Sequence, residues 1–185
     1  MTLSIDQNPD PIFPQNLLSS GQTEKTWRVA HTKSRREKAL ANYLRQSSIG
    51  YYLPMFGKRQ PGKKRMRISL MPLFNGYLFF KADEVERHTA LRSNHIARII
   101  EVGDEEKLID ELLQIQKVLS GNMLVYPYDF IHEGQRVRVK KGPLKDVEGW
   151  IVRKDRNARL VLSVEAIMQS ISVTIDADHV EPLSS

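Results

Sequence analysis

Basic side chains dominate one stretch of this 185-residue chain. Between Lys25 and Arg67 there are 13 lysines and arginines and a single acidic residue, Glu37, whereas between Asp83 and Glu111 there are 9 acidic and 4 basic residues. Lysine and arginine bind phosphate oxygens, so this uneven distribution indicates a positive surface that suits a polyanion, most simply nucleic acid. A basic surface that is only solvated is the simpler alternative.

The residues that commonly carry catalysis do not form a recognisable pattern. The chain has no cysteine, which excludes disulfides and thiolate zinc sites. No glycine-rich phosphate loop is present, and "KKGPLKDVEG" lacks the spacing of one. The histidines lack a neighbouring carboxylate or nucleophile in a known order; they are His31, His88, His95, His132 and His179. We therefore expect no catalytic activity, no metal and no cofactor.

The chain start lacks the basic and apolar segments of a signal peptide, and no apolar run approaches the ~18 residues of a membrane span. The composition, with 41% hydrophobic and 27% charged residues, is that of an ordinary soluble protein. We expect a cytoplasmic monomer that does not bind membranes.

A strand followed by a helix positions the first basic residues. "TWRVAH" alternates with the period of a half-buried strand, and "SRREKALANYLRQSSIG" has the apolar spacing of a helix. Ser34 and Glu37 have the spacing of a capping box at the helix start, and Gly50 lies beyond its end. The candidates for phosphate contacts are three cations at the junction of strand and helix, Lys33, Arg35 and Arg36, here called the basic junction.

A basic hairpin is predicted next. The apolar runs "YYLPMF" and "RISLMPLF" flank "GKRQPGKKRMR", in which Pro61-Gly62 is a turn signal. Six of the ten residues from Lys58 to Arg67 are basic. The candidate nucleic-acid contacts of the hairpin are Lys58, Arg59, Lys63, Lys64, Arg65 and Arg67.

The most apolar decapeptide, "MPLFNGYLFF" at 71–80, leads into a further strand. On a strand, Tyr77 and Phe79 point to one side and Leu78 and Phe80 to the other, so one pair can fill a core while the other faces a partner. A short helix with acidic residues in its first turn, a strand "ARIIEV" and a helix from about Asp104 to Gly121 follow. This order predicts an α+β domain with helices against a β-sheet.

The C-terminal segment differs in character. Twelve of the fifty residues from Glu133 to Pro182 are valine or isoleucine, in short alternating runs separated by turn residues. This pattern predicts a small closed β-barrel and disfavours a helical hairpin. The expected organisation is a disordered tail at 1–24, a first domain at 25–119, a linker at 120–131 and a barrel domain at 132–183.

Three segments in this order, "WRVAHTKSRREKALANYL", "PLFNGYLFF" and "EGQRVRVKKGPLKDVEGWIV", resemble the bacterial NusG family of transcription factors. The "YYLPM…PLFNGYLFF" arrangement is closer to the specialised RfaH branch. The resemblance implies a NusG-type N-terminal domain followed by an SH3-like KOW barrel. It also implies a factor without enzymatic activity that binds RNA polymerase and suppresses pausing or termination.

The resemblance also implies which residues bind. An apolar depression in the first domain would grip the clamp helices of RNA polymerase, with its residues at Phe74, Tyr77, Phe79, Val102 and Ile115. Lys33 and Tyr43 would face the non-template DNA strand of the elongation complex, although Tyr43 could equally be a core residue. The KOW barrel would bind the ribosome or Rho, but Leu144 stands where the family often has phenylalanine.

One departure and one competing function remain open. Asn75-Gly76 alone would suggest a tight hairpin turn, whereas the family fold implies a position within or beside a strand. An RNA-binding or ribosome-associated KOW protein is the alternative function, because it would use the same basic hairpin together with the cations of the barrel, namely Arg136, Arg138, Lys140 and Lys141.

Overall fold

The computed structural model describes residues 8–19, 21, 24–61, 66–121, 123–128, 134–154 and 157–183. The chain forms two compact units, Met1–Glu105 and Glu106–Ser185. Within the described ranges, no helix has the length and apolar character needed to span a lipid bilayer.

The first unit combines seven strands with two helices among its described residues. Its elements are β1 (Ile12–Phe13), β2 (Thr26–Thr32), α1 (Glu37–Gln46), β3 (Gly50–Tyr52), β4 (Met55–Pro61), β5 (Met66–Pro72), β6 (Tyr77–Ala82), α2 (Glu84–Arg92) and β7 (Ile96–Glu101). Five strands form an antiparallel sheet in the order β1-β3-β6-β2-β7, and β4 and β5 form a separate two-stranded sheet. This mixture of helices and antiparallel strands confirms the α+β class expected from the sequence.

The central strand β6 separates its side chains onto two faces. Leu78 and Phe80 belong to one buried core cluster with Leu40 and Leu44 of α1 and Ala90 of α2. Their neighbours in the strand, Tyr77 and Phe79, therefore lie on the opposite face. The sequence predicted that one pair of this strand fills the core beneath the helices, and Leu78 and Phe80 are that pair.

The N-terminal segment corrects the expectation of a disordered tail. Ile12 and Phe13 pair with β3, and a single 3₁₀ turn follows at Leu17–Ser19. Ile12, Leu17 and Leu18 are each only 5% exposed. The composition of this segment is polar, but its few apolar residues are buried against the edge of the sheet. Residues 1–7 lie outside the described part of the chain.

Helix α1 begins without the expected capping box. Arg36 occupies the N-cap position and makes no side-chain capping hydrogen bond. The carboxylate of Glu37 instead accepts a hydrogen bond of 2.7 Å from the backbone N–H of Gly76. The capping box of this unit is found at α2, where Asp83 and Glu86 exchange hydrogen bonds of 2.8 and 3.1 Å.

The basic hairpin is confirmed as two paired strands, with Met55 opposite Pro72 and Pro61 opposite Met66. "YYLPMF" is not one strand, because Leu53 and Pro54 separate β3 from β4. The proposed turn at Pro61-Gly62 lies partly outside the described residues.

Asn75 and Gly76 form a turn directly before β6. The N–H of Tyr77 donates to the carbonyl of Phe74 at 3.2 Å, and Gly76 has a φ of 84°, which glycine adopts without strain. Because β5 pairs with β4 and β6 pairs with β2 and β3, this turn does not close a hairpin. The expectation that these residues lie beside a strand is confirmed.

The second unit consists of a helix and one antiparallel sheet. Its elements are α3 (Glu105–Ser120, whose first residue ends the first unit), β8 (Val125–Tyr128), β9 (Gln135–Val139), β10 (Glu148–Lys154), β11 (Asn157–Val164), β12 (Gln169–Ile175) and β13 (Val180–Pro182). The strand order is β13-β9-β10-β11-β12-β8. The C-terminal segment thus forms strands, as expected, rather than a helical hairpin. Among the described residues β13 and β8 end the hydrogen-bonded order, and no pairing closes it into a barrel.

Two features of the second unit differ from the sequence-based outline. Val125–Tyr128, expected in a linker, form β8 and pair with β12. Helix α3, expected in the first domain, belongs to the second unit except for Glu105 and is joined to it by a 3.3 Å hydrogen bond from the N–H of Glu148 to Gln114 Oε1. The compact units therefore divide the chain at Glu105 rather than in the segment 120–131.

Candidate interface for protein and nucleic acid

The face of β6 that carries Tyr77 and Phe79 is built from three neighbouring strands. Phe79 lies opposite Val29 of β2 and opposite Tyr52 of β3. The ring of Phe74, in the loop before β6, meets the ring of Phe79 edge-on, with centroids 6.3 Å apart. Phe74 and Phe79 are thus brought together, as the resemblance to the NusG family implied.

These two rings are not open to solvent. Phe74 is 2% exposed and Phe79 is fully buried, so the expectation of an open depression is not met at either ring. The accessible ring of the set is Tyr77, which is half-buried. Whether Phe74 and Phe79 contact a partner stays a prediction.

Tyr77 lies beside His31 of β2, which is half-buried as well. The two residues lie opposite each other across β2 and β6, and their ring centroids are 5.1 Å apart. The neighbouring Gly76 has a positive φ that would strain any other residue, whereas a Cβ there would lie at an ordinary contact distance of 3.7 Å from the His31 ring. Sequence reasoning did not include His31 in the interface, although it alternates with Trp27 and Val29 on the same face.

The remaining two candidates of the aromatic set lie apart in the chain. Val102 directly follows β7 and is half-buried. Ile115 is fully buried in α3, which belongs to the second unit. Their part in one surface with Tyr77 also stays a prediction.

The basic junction is exposed, as the sequence predicted. Lys33, Arg35 and Arg36 all lie at the surface of the loop between β2 and α1, and Arg35 has a φ of 59°. Glu37, the one acidic residue of this basic stretch, is only 7% exposed, and its carboxylate accepts a hydrogen bond from the backbone N–H of Gly76. The exposed groups at this junction are therefore positive and are not balanced by Glu37 at the surface.

The end of α2 contributes two residues to the junction that the sequence did not suggest. The ammonium of Lys33 donates to Asn94 Oδ1 at 2.5 Å, and its backbone N–H donates to the carbonyl of His95 at 2.8 Å. Partial burial, with the nearby charges of Arg36 and Lys33, lowers the pKa of His95 from 6.5. A neutral imidazole thus lies beside two cations, where a phosphate oxygen would be complementary to the charge.

The other nucleic-acid candidates occupy α1 and the basic hairpin. The side chain of Tyr43 on α1 is half-buried, so its burial is intermediate between that of a surface residue and that of a core residue. Lys58 is exposed on β4. The side chains of Arg59 and Arg67, and the whole of Lys63, Lys64 and Arg65, lie outside what the structure describes, so their contribution stays a prediction.

Two comparisons with known proteins found similar sequences. A family model described as "NusG: Transcription termination factor nusG" matches residues 25–118. The chain is also similar to the "Transcription termination/antitermination protein NusG" of Borreliella burgdorferi, with 32% identity over 88 residues. That similarity covers 46% of this chain and 46% of the relative, so it spans about half of the length of each. Because the family model matches residues 25–118, which are more than half of the chain, the chain belongs to the NusG family.

Proposed function

We propose that this chain is a transcription elongation factor that binds RNA polymerase through its first unit and suppresses pausing or termination. The observation that carries the proposal is that an aromatic surface and a basic surface meet at the end of β2. The ring of His31 contacts the ring of Tyr77, and Lys33, two residues later, begins the basic junction. Aromatic rings suit a protein helix, and exposed cations suit phosphates. A factor on a transcribing polymerase meets both a protein surface and the phosphates of nucleic acid. Membership of the NusG family supports the same function.

In this proposal Tyr77 contacts the clamp helices of the polymerase, together with His31. The rings of Phe74 and Phe79 pack edge to face and support the Tyr77 strand from within the domain. By resemblance to the family, Val102 belongs to the same contact. A buried aromatic residue at the centre of an interface commonly dominates its binding energy.

Lys33, Arg35 and Arg36 then face DNA of the elongation complex, and the non-template strand is the part exposed there. Tyr43, on the following helix α1, adds a ring on which a base can stack. The basic hairpin extends the positive surface through Lys58 and its further lysines and arginines. A role restricted to particular operons, as in the RfaH branch, belongs to this proposal.

The second unit is proposed to be a KOW module that binds the ribosome or Rho. The competing function, an RNA-binding or ribosome-associated KOW protein, would need the cations of that unit. Arg136 and Arg138 both pair with Glu148, and the ring of Trp150 lies under Arg136. Lys140 and Lys141 are exposed. Because two of these four cations, Arg136 and Arg138, are paired with Glu148, this surface is a weaker site for a polyanion than the basic junction.

Binding to purified core RNA polymerase and to ribosomes separates the two functions. Tyr77→Ala should weaken polymerase binding roughly thirtyfold, as expected for a central interface aromatic. Tyr126→Ala removes an exposed tyrosine from the second unit and is the matched control. Tyr77→Phe, which keeps the ring, should bind almost as wild type. Unchanged polymerase affinity of folded Tyr77→Ala, or tight binding to ribosomes alone, would contradict the proposal.

A further inference from the structure

Lys38 occupies a position unlike that of the exposed cations around it. Its ammonium donates one hydrogen bond of 2.5 Å to Asn8 Oδ1 and another of 2.5 Å to the carbonyl of Leu70. One side chain of α1 is therefore bonded both to the N-terminal segment and to strand β5. Partial burial lowers the pKa of Lys38, against the opposing effect of the Glu37 charge.

The basic hairpin has few other attachments. Its two strands pair with each other and with no strand of the five-stranded sheet among the described residues. At its base Met55 is buried in the core cluster, Leu70 packs against that cluster, and the N–H of Leu73 donates to the carbonyl of Pro54 at 2.8 Å. An isolated two-stranded hairpin is only marginally stable, so the contacts at its base set its direction.

The N-terminal segment offers a fixed support for Lys38. The N–H of Leu53 donates to the carbonyl of Pro11 at 2.7 Å, and Arg45 forms an ion pair with Asp10. Gly50 leaves room for this segment, since a Cβ there would lie 2.7 Å from Leu17 Cδ1. The segment precedes residue 25, where the NusG family model begins, so the family match does not account for it.

We propose that Lys38 is a positioning residue that fixes the basic hairpin against α1 and residues 8–19, so that the cations of the hairpin approach nucleic acid in one direction. The part of this inference that concerns DNA rests on the proposed function, in which the hairpin contacts DNA. The attachment of the hairpin by Lys38 does not depend on that function. Lys38 acts through Leu70 and Asn8 rather than by touching the ligand.

Hydrogen exchange of the free protein tests the fixing of the hairpin without any nucleic acid. In Lys38→Met the amides of β4 and β5 should exchange about tenfold faster, because a charge-assisted hydrogen bond at the base is lost, while β2 and β6 keep their rates. Arg36→Met is the matched control: it removes an exposed cation next to the same helix and should leave the exchange of β4 and β5 unchanged. Wild-type exchange of β4 and β5 in Lys38→Met, or equal acceleration throughout the first unit, would overturn the inference.

The salt dependence of binding to a single-stranded DNA oligonucleotide tests the consequence. Lys38→Met should lower the affinity severalfold and leave the slope of log K against log salt unchanged, since no phosphate contact is removed. Asn8→Ala, which changes no charge, should act in the same direction. A slope smaller by about 0.7 in Lys38→Met would mean a direct phosphate contact and would overturn the positioning role. If Lys58→Glu leaves binding unchanged, the hairpin part of the proposed function fails, whereas the exchange result for Lys38 stands.

Discussion

The two helices of the first unit begin in opposite ways. Helix α2 starts with a complete capping box between Asp83 and Glu86. Helix α1 starts at Glu37 behind Arg36, which provides no cap, and behind two further cations, Lys33 and Arg35. The start of α2 thus gives the N–H of Glu86 an acceptor and carries the negative charge that a helix N-terminus favours. Helix α1 has three cations in front of it, and the carboxylate of Glu37 in its first turn accepts from Gly76 rather than capping the helix.

This difference indicates where the sequence serves the fold and where it serves a ligand. Cations at a helix N-terminus are repelled by the positive end of the helix dipole, so they cost stability. Such a break of a local rule is expected at functional sites. Phosphate groups would complement both the helix end and the three cations. We therefore interpret the start of α2 as structural and the start of α1 as part of a surface for nucleic acid.

The largest effect on this comparison is expected from Glu37→Ala. The change leaves the N–H of Gly76 without its acceptor in a partly buried site and should lower the free energy of unfolding by about 2 kcal/mol. Urea denaturation measures it, and Glu37→Gln, which keeps an acceptor oxygen, should lose less. Equal losses in the two variants would show that the hydrogen bond to Gly76 is not what holds the start of α1.

Removal of the α2 cap should have a smaller effect. Asp83→Ala breaks the capping box and should destabilise the first unit by about 1 kcal/mol. The matched change at α1 is Ser34→Ala, which removes a hydroxyl from an exposed residue with no capping role and should stay within about 0.5 kcal/mol. Equal losses in denaturation experiments would remove the contrast between the two helix starts.

Arg36→Asp should change stability and binding in opposite directions. An acidic residue at the start of α1 should raise the free energy of unfolding by about 0.5 kcal/mol, because it favours the helix dipole and relieves repulsion among the three cations. The same variant should bind single-stranded DNA more weakly and with a smaller salt slope. Arg92→Asp, at the surface near the end of α2, is the control. A variant that binds DNA as tightly as wild type would contradict the assignment of this helix start to nucleic acid.

The smallest effect concerns pH. Burial and the charges of Arg36 and Lys33 lower the pKa of His95 in the folded protein, whereas the unfolded chain keeps the ordinary value of 6.5. The stability contributed by neutral His95 is therefore present above pH 6.5 and is lost as the pH falls from that value toward the folded-state pKa. Between about pH 8 and pH 5 the wild type should lose more stability than His95→Gln in urea denaturation. Parallel curves for the two proteins would argue against the lowered pKa.

Local periodicity was sufficient for the regular parts of the fold. The alternation of β6 correctly separated Leu78 and Phe80 from Tyr77 and Phe79, because side chains on a strand change face at every residue, but it did not show which pair fills the core. The capping box at Ser34 and Glu37 was wrong, since the sequence pattern does not reveal that Gly76, distant in the chain, binds the Glu37 carboxylate. The order of residues 8–19 was missed for the same reason: their burial depends on the edge of β3.

The residues of the candidate site also differ in how far the sequence could predict them. The exposure of Lys33, Arg35 and Arg36 was predictable, since their charges lie in one short stretch between two recognisable elements. The contributions of His31, Asn94 and His95 were not, because each depends on tertiary contacts with residues distant in the sequence. The burial of Phe74 and Phe79 likewise depends on neighbouring strands, so the strand pattern identified their face but not their exposure.

The two-residue strand β1 has a consequence for fragments of this protein. It covers the edge of β3, and its removal would leave the backbone groups of Tyr51 and Tyr52 without their partners. Uncovered strand edges pair readily with other chains and promote aggregation. A fragment that begins at residue 25, the start of the family match, would lack this protection. The short strand thus contributes to the solubility of the first unit, beyond what its two pairs of residues add to stability.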